Sequence, residues 1–156
     1  MAKYSLTNGS SGQAITTTYK SLTGIAASSG TQALRRGKVY DILVGTNGTP
    51  ADNYIQWDVS RITSSGAYTA GMCVALDTAD ASAAALPKIN FSTEPTVTSS
   101  ANLFNVGVNQ RASYRWVAAP GGELVYPATD LNGIAVRALS GGYTGTGTAT
   151  LHFEES

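Results

Sequence analysis

From Asn53 to Thr63 the chain reads NYIQWDVSRIT, and its apolar residues return at every second position. Ile55, Trp57 and Val59 fall on one side, with Gln56, Asp58 and Ser60 on the other. That period belongs to a strand, whose successive side chains point to opposite faces; a helix would scatter the same residues around its axis. One apolar and one polar face describes an antiparallel sheet with its core on one side and water on the other. Asp58 and its neighbours are therefore expected to be wetted. The segment TATLHFE at 148–154 repeats the pattern: Ala149, Leu151 and Phe153 share a face, and Thr148, Thr150 and His152 share the other.

Other segments carry the same signal less purely. KVYDILVG at 38–45 is rich in β-branched and aromatic residues, and 67–76, 103–118, 123–126 and IAVRAL at 134–139 are further strand candidates, with a weaker one at 15–27. Turn formers separate them: Asn47-Gly48-Thr49-Pro50, Ser64-Ser65-Gly66, Pro120-Gly121-Gly122, Asn132-Gly133 and Ser140-Gly141-Gly142. The Ala-rich stretch from Asp77 to Leu86 predicts one short surface helix, ended by Pro87. Residues 88–102 read as a long loop or an extended edge segment. Residues 1–14 are poor in apolar anchors and rich in turn formers, so they predict an N-terminal arm ahead of a domain at 15–156. The expectation is an all-β fold, an antiparallel β-sandwich of jelly-roll type with roughly eight strands. An immunoglobulin-like sandwich is the alternative.

A chain of 156 residues can close a core without disulfides, and its single cysteine, Cys73, permits no internal one. Net charge is zero and only 13% of residues are charged, which argues against a phosphate-binding surface. The densest basic points are Arg35, Arg36 and Lys38, then Arg111 and Arg115. No segment approaches the apolar length of a membrane helix and no apolar leader is visible, so the residues predict a soluble product made in the cytoplasm, free or carried in a particle.

The residues for chemistry are sparse. Cys73 lies between Met72 and Val74 and reads as a small buried residue; a thiolate would need a base, and His152 is the only histidine. His152 sits on the expected wet face of the last strand, which suits a surface residue better than a triad base. Asp77 and Asp80 lack the rest of a calcium loop, and no phosphate-binding glycine loop or nucleophile elbow is present. No metal or cofactor is expected. Paired acids from distant strands remain one route to a glycosidase, with Asp41, Asp58 and Glu123 available. Trp57 alternates with core residues. Trp116, beside Tyr114 and Arg115, suits an edge or interface, because aromatic residues and arginine concentrate at binding hot spots. The same aromatic residues would also suit stacking on sugar rings.

Several stretches resemble one family. They are RWVAAPGGEL at 115–124, YPAT at 126–129, NGIAV at 132–136, SGGYTG at 140–145 and TATLHFEE at 148–155. Leu76-Asp77 with its Ala-rich continuation and Glu94-Pro95-Thr96 add to them. Together they resemble small phage-head decoration, or cement, proteins over about residues 40–155. The resemblance implies a jelly-roll or related sandwich bound to the outside of an icosahedral head. Its partner there is the major capsid protein, often with a homotrimer at three-fold positions, and neither cofactor, nucleic acid nor membrane is engaged. It implies location on the outer surface of the virion. Local reading places capsid contact at Lys3, Tyr4, Arg35 and Arg36, and trimer contact at Tyr114, Arg115, Trp116 and Tyr143. The alternatives are another virion part, such as a tail or fibre component, or a carbohydrate-binding module.

Overall fold

The computed structural model describes residues 1–28 and 33–156. These residues form two antiparallel sheets and no helix. One sheet is built on β1 (Lys3–Thr7), β4 (Gly37–Thr46), β7 (Val74–Ala75), β10 (Tyr114–Val117) and β13 (Thr146–Glu155), in the order β10-β4-β13-β1-β7. The short strands β2 (Gln13–Ala14) and β11 (Leu124–Tyr126) pair with β13 and β4. The other sheet runs β6-β8-β3-β12-β5-β9, from β3 (Lys20–Ala26), β5 (Tyr54–Ile62), β6 (Ala67–Ala70), β8 (Leu86–Thr93), β9 (Val97–Asn109) and β12 (Gly133–Leu139). Among the described residues thirteen strands stand where roughly eight were expected: β1, β2 and β8 form in segments read as arm or loop, and turns divide 67–76 and 103–118 into two strands each.

The inner faces of the two sheets make one core. Val39, Ile42 and Val44 of β4, Ile55, Trp57 and Val59 of β5, Ile134 and Val136 of β12, and Ala149, Leu151 and Phe153 of β13 are all buried in it. The alternations in β5 and β13 therefore place the residues they were expected to place. In β4 the ladder to β13 slips between His152 and Phe153, leaving Tyr40 as the extra residue of a bulge. The bulge resets the alternation, so that Val39 and Ile42, three apart, both face inward.

Residues 1–14 are not a free arm. β1 lies between β13 and β7, with Tyr4 opposite Phe153 and Leu6 opposite Leu151. Tyr4 is 1% exposed, its ring stacks on Phe153 at 5.4 Å between centroids, and its hydroxyl donates to the Ala81 carbonyl at 2.9 Å. Asn8, a turn former by composition, is fully buried and continues the ladder with its side chain. Its Oδ1 accepts from Ala149 N at 2.8 Å, and its Nδ2 donates to Asn90 Oδ1 at 2.9 Å. Two apolar residues suffice here because both neighbours of β1 supply backbone partners.

The predicted helix at Asp77–Leu86 does not form. The carboxylate of Glu155 accepts from Ala84 N at 3.0 Å and Ala85 N at 2.6 Å, engaging amides that a helix would need. Residues 88–102, read as a loop or an extended edge segment, are largely extended: they belong to β8 and to β9, which forms an edge of its sheet. Replacing Leu6 with Ala is expected to cost about 2–5 kcal/mol, the range for a core leucine. Urea denaturation checks it: an unchanged midpoint would mean that β1 adds nothing to the core.

Candidate interaction surfaces

Chemistry-bearing side chains collect on the two outer faces and along one open side. On the outer face of the seven-stranded sheet, cross-strand pairing sets up rows. Lys3, Glu154 and Lys38 form one row, and Ser5, His152, Asp41 and Val117 form the next. Asp41 is buried although it points outward, since longer side chains cover it. Arg115 donates to it from Nε at 3.0 Å and from Nη2 at 2.7 Å, a two-pronged contact, and His152 Nδ1 lies 2.9 Å from Oδ2. Arg115 holds the Asp41 carboxyl below the usual carboxylate range; burial opposes this, and His152 adds to the lowering. Lys3 lies over the Tyr40 ring, 5.5 Å from its centroid. Leu43, Val74 and Val117 leave an exposed apolar surface around this polar centre.

The outer face of the six-stranded sheet hides a second carboxylate. Asp58 was expected to be wetted and is 0% exposed. Arg137, directly opposite on β12, donates Nε to Asp58 Oδ2 at 2.8 Å, and Ser60 Oγ donates to the same oxygen at 2.6 Å. Asn102 and Asn105 donate from Nδ2 to Oδ1, at 2.5 Å and 2.9 Å. The Tyr19 ring covers Arg137, 4.5 Å from the guanidinium carbon. Burial pushes the Asp58 carboxyl up, but Ser60, Asn102 and Arg137 together outweigh it and hold it below the usual range. Asp58 was misread because β12 and β9 supply its partners, from positions far along the sequence.

Of the three acids available for a pair, Asp41 and Asp58 do not meet. Asp41 faces outward from one sheet and Asp58 outward from the other, so the core lies between them. His152 does have an aspartate partner, yet no described hydroxyl is hydrogen-bonded to its ring. Burial pushes the Cys73 thiol up to about 12, aided by Glu155, which is the reverse of activation.

The expected contact residues separate clearly. Lys3 is exposed, and Arg35 and Arg36 are exposed beside the chain's end. Arg35 lies 3.9 Å from Glu155, and the Arg36 carbonyl accepts from Ser156 N at 3.0 Å. With Lys38, which lies 3.9 Å from Glu154, these residues make a margin of mixed charge at one end of the seven-stranded sheet. Tyr4 is in the core and cannot touch a shell. Tyr143 is also corrected: it is 8% exposed, and its hydroxyl donates to the Asn47 carbonyl. Tyr114, Arg115 and Trp116 lie on β10, an edge strand. Trp116 stacks on Phe104 of β9, the edge of the other sheet, at 5.4 Å. The two edges thus face each other across one side of the sandwich, with Leu103, Val106 and Tyr114 half-buried there. Among the described residues nothing pairs with the outer edge of β9 or β10.

Compared with protein-family models, curated proteins and solved structures, the chain matches none.

Two outcomes test the electrostatics. Asp58→Ala strands the Arg137 guanidinium, and the loss is expected to be about 3 kcal/mol or more, read from the urea midpoint. Asp41 and Asp58 both carry lowered values in the folded state, so the unfolded chain takes up their protons first as pH falls. Their stabilisation is present in full above about pH 4, the unfolded aspartate value, and is lost as pH falls through the folded values below it. Asp41→Asn is expected to flatten the decline of the urea midpoint below pH 4; an unchanged slope would refute its share.

Proposed function

We propose that this chain is a capsid decoration (cement) protein of jelly-roll type. It binds the outer surface of an expanded icosahedral phage head as a homotrimer, contacts the major capsid protein and stabilises the shell against DNA pressure. It is made in the host cytoplasm and resides on the outside of the virion.

The single structural observation that carries this reading is the open side between β9 and β10. Two edge strands lie side by side there with a half-buried Trp116–Phe104 stack. Unpaired strand edges attract other chains, and natural monomers usually shorten, charge or cover them. β9 runs from Val97 to Asn109, and only its neighbour β10 carries a charge, at Arg115. A second copy meeting this side would bury aromatic residues beside an arginine, the composition of binding hot spots. The charged margin of Lys3, Arg35, Arg36 and Lys38, with Glu154 and Glu155 among them, lies at an end of the seven-stranded sheet and suits a polar shell contact, where repetition multiplies weak individual contacts.

Two further features support the finer assignment. The stretches at 115–124, 126–129, 132–136 and 140–155 resemble decoration proteins, as set out from their residues. The connections also alternate between sheets: β3 to β4 to β5, and later β9 to β10, then β12 to β13, pass from one layer to the other. Such alternation, with β3-β12-β5-β9 adjacent in one sheet, suits a jelly roll.

Purified protein is expected to co-sediment with expanded heads prepared from the same genome without this gene product. Binding should saturate in fixed ratio to the shell subunit. Trp116→Ala is expected to weaken self-association by about 2 kcal/mol or more, read by analytical ultracentrifugation. Heads of equal stability with and without the protein, and no co-sedimentation, would refute the reading.

A further inference from the structure

A shallow groove runs over β5 and β9, lined by Asp52, Asn53, Tyr54 and Gln56 on one side and Gly107, Val108 and Asn109 on the other. Register puts Tyr54 opposite Asn109 and Gln56 opposite Gly107. Tyr54 is 51% exposed, so a large ring lies open on a sheet face that is otherwise polar. Gly107 leaves a gap beside Gln56: a Cβ there would sit 3.4 Å from Gln56 Oε1, so the side-chain oxygen borders the empty position.

The amides around the gap are held in fixed orientations. Gln56 Nε2 donates to Asn105 Oδ1, Asn105 Nδ2 donates to Asp58 Oδ1, and Arg137 donates to Asp58 Oδ2. A chain of bonds anchored in a buried ion pair therefore turns Gln56 Oε1 outward as an acceptor. Asn109 Oδ1 accepts from Arg111 N at 2.9 Å, which leaves its Nδ2 as a donor. Asn53 Oδ1 accepts from Tyr54 N at 2.8 Å, with the same consequence. The charged pair at the margin, Arg111 and Asp52, is mutually satisfied at 2.9 Å.

We infer that this groove binds a neutral pyranose saccharide. Hydroxyl groups both donate and accept, so fixed amide donors and acceptors match them without charge. The face of Tyr54 is electron-rich and attracts the C–H face of a sugar ring. Gly107 admits the ring close to the strand, where a side chain would block it. A phosphate or carboxylate ligand would require an uncompensated cation, and Arg111 is compensated. Groups already held in place lose little freedom on binding, which favours a weak but specific site. The inference stands independently of the capsid reading, since it concerns the face of the six-stranded sheet alone.

The test is an NMR titration of the full chain with cellohexaose, maltohexaose, chitohexaose and mannohexaose. At least one is expected to give saturable shifts confined to residues 52–56 and 105–111. Tyr54→Ala is expected to weaken that binding about tenfold. Gly107→Val, which fills the gap on an exposed strand face, is expected to abolish it while the remaining spectrum stays unchanged. Shifts with none of the four saccharides, or shifts that survive both substitutions in folded protein, would overturn the inference.

Discussion

β13 holds the seven-stranded sheet together. It pairs with β4 from Gly147 to Glu155 along one edge, and with β1 and β2 along the other. Its inward residues Ala149, Leu151 and Phe153 are buried against the opposite sheet. At Gly147 a Cβ would meet Leu22 of the opposite sheet at 2.7 Å and Ile15, in the link between β2 and β3, at 2.8 Å. At its far end, Glu155 fixes the Ala84–Ala85 segment through two backbone amides. Without β13, β1 and β4 would share no ladder, and the sheet would divide.

Both outer faces are organised around a covered carboxylate. Burying a charge is costly unless it is paired and its remaining lone pairs are engaged. Asp41 meets this condition with Arg115 and His152, and Asp58 with Arg137, Ser60 and two asparagines. Each cluster joins several strands, so each fixes cross-strand register as well as charge. Asp41 ties β4 to β10 and β13, and Asp58 ties β5 to β9 and β12. The surface groups beside them inherit that order: Arg115 on one face and the amide of Gln56 on the other are held by bonds that end on these acids.

What could be read from the sequence was whatever depends on neighbours along the chain. The period of two in β5 and β13 is local, so the all-β class and much of the core followed from it. β1 offered only Tyr4 and Leu6, too few for a pattern, and its stability comes from strands at the other end of the sequence. The burial of Asp58 arises from Arg137, Asn102 and Tyr19, which only the fold brings together. Tyr143 failed for the same reason: its glycine-rich surroundings look like an exposed turn, whereas Asn47 draws its hydroxyl inward. Trp116, read as suiting an edge or an interface, lies on the edge strand β10 with Arg115.

β9 shows how one strand serves two purposes without conflict. Phe104, Val106 and Val108 are half-buried toward the core and the open side, while Asn105, Gly107 and Asn109 face outward. Period two largely separates these sets, with Val108 alone of the first set also lining the groove, so the self-association proposed for the open side rests on Phe104 and Trp116 and the saccharide binding on Tyr54, Gln56 and Gly107. A substitution at Gly107 changes the groove and leaves the Phe104–Trp116 stack untouched; one at Phe104 does the reverse. The coupling that remains runs through Asn105, whose bonds to Gln56 and Asp58 join the groove to the buried ion pair. The groove's acceptor is therefore only as rigid as the Asp58–Arg137 contact beneath it, and the stability of the six-stranded sheet and the order of its outer face share one origin.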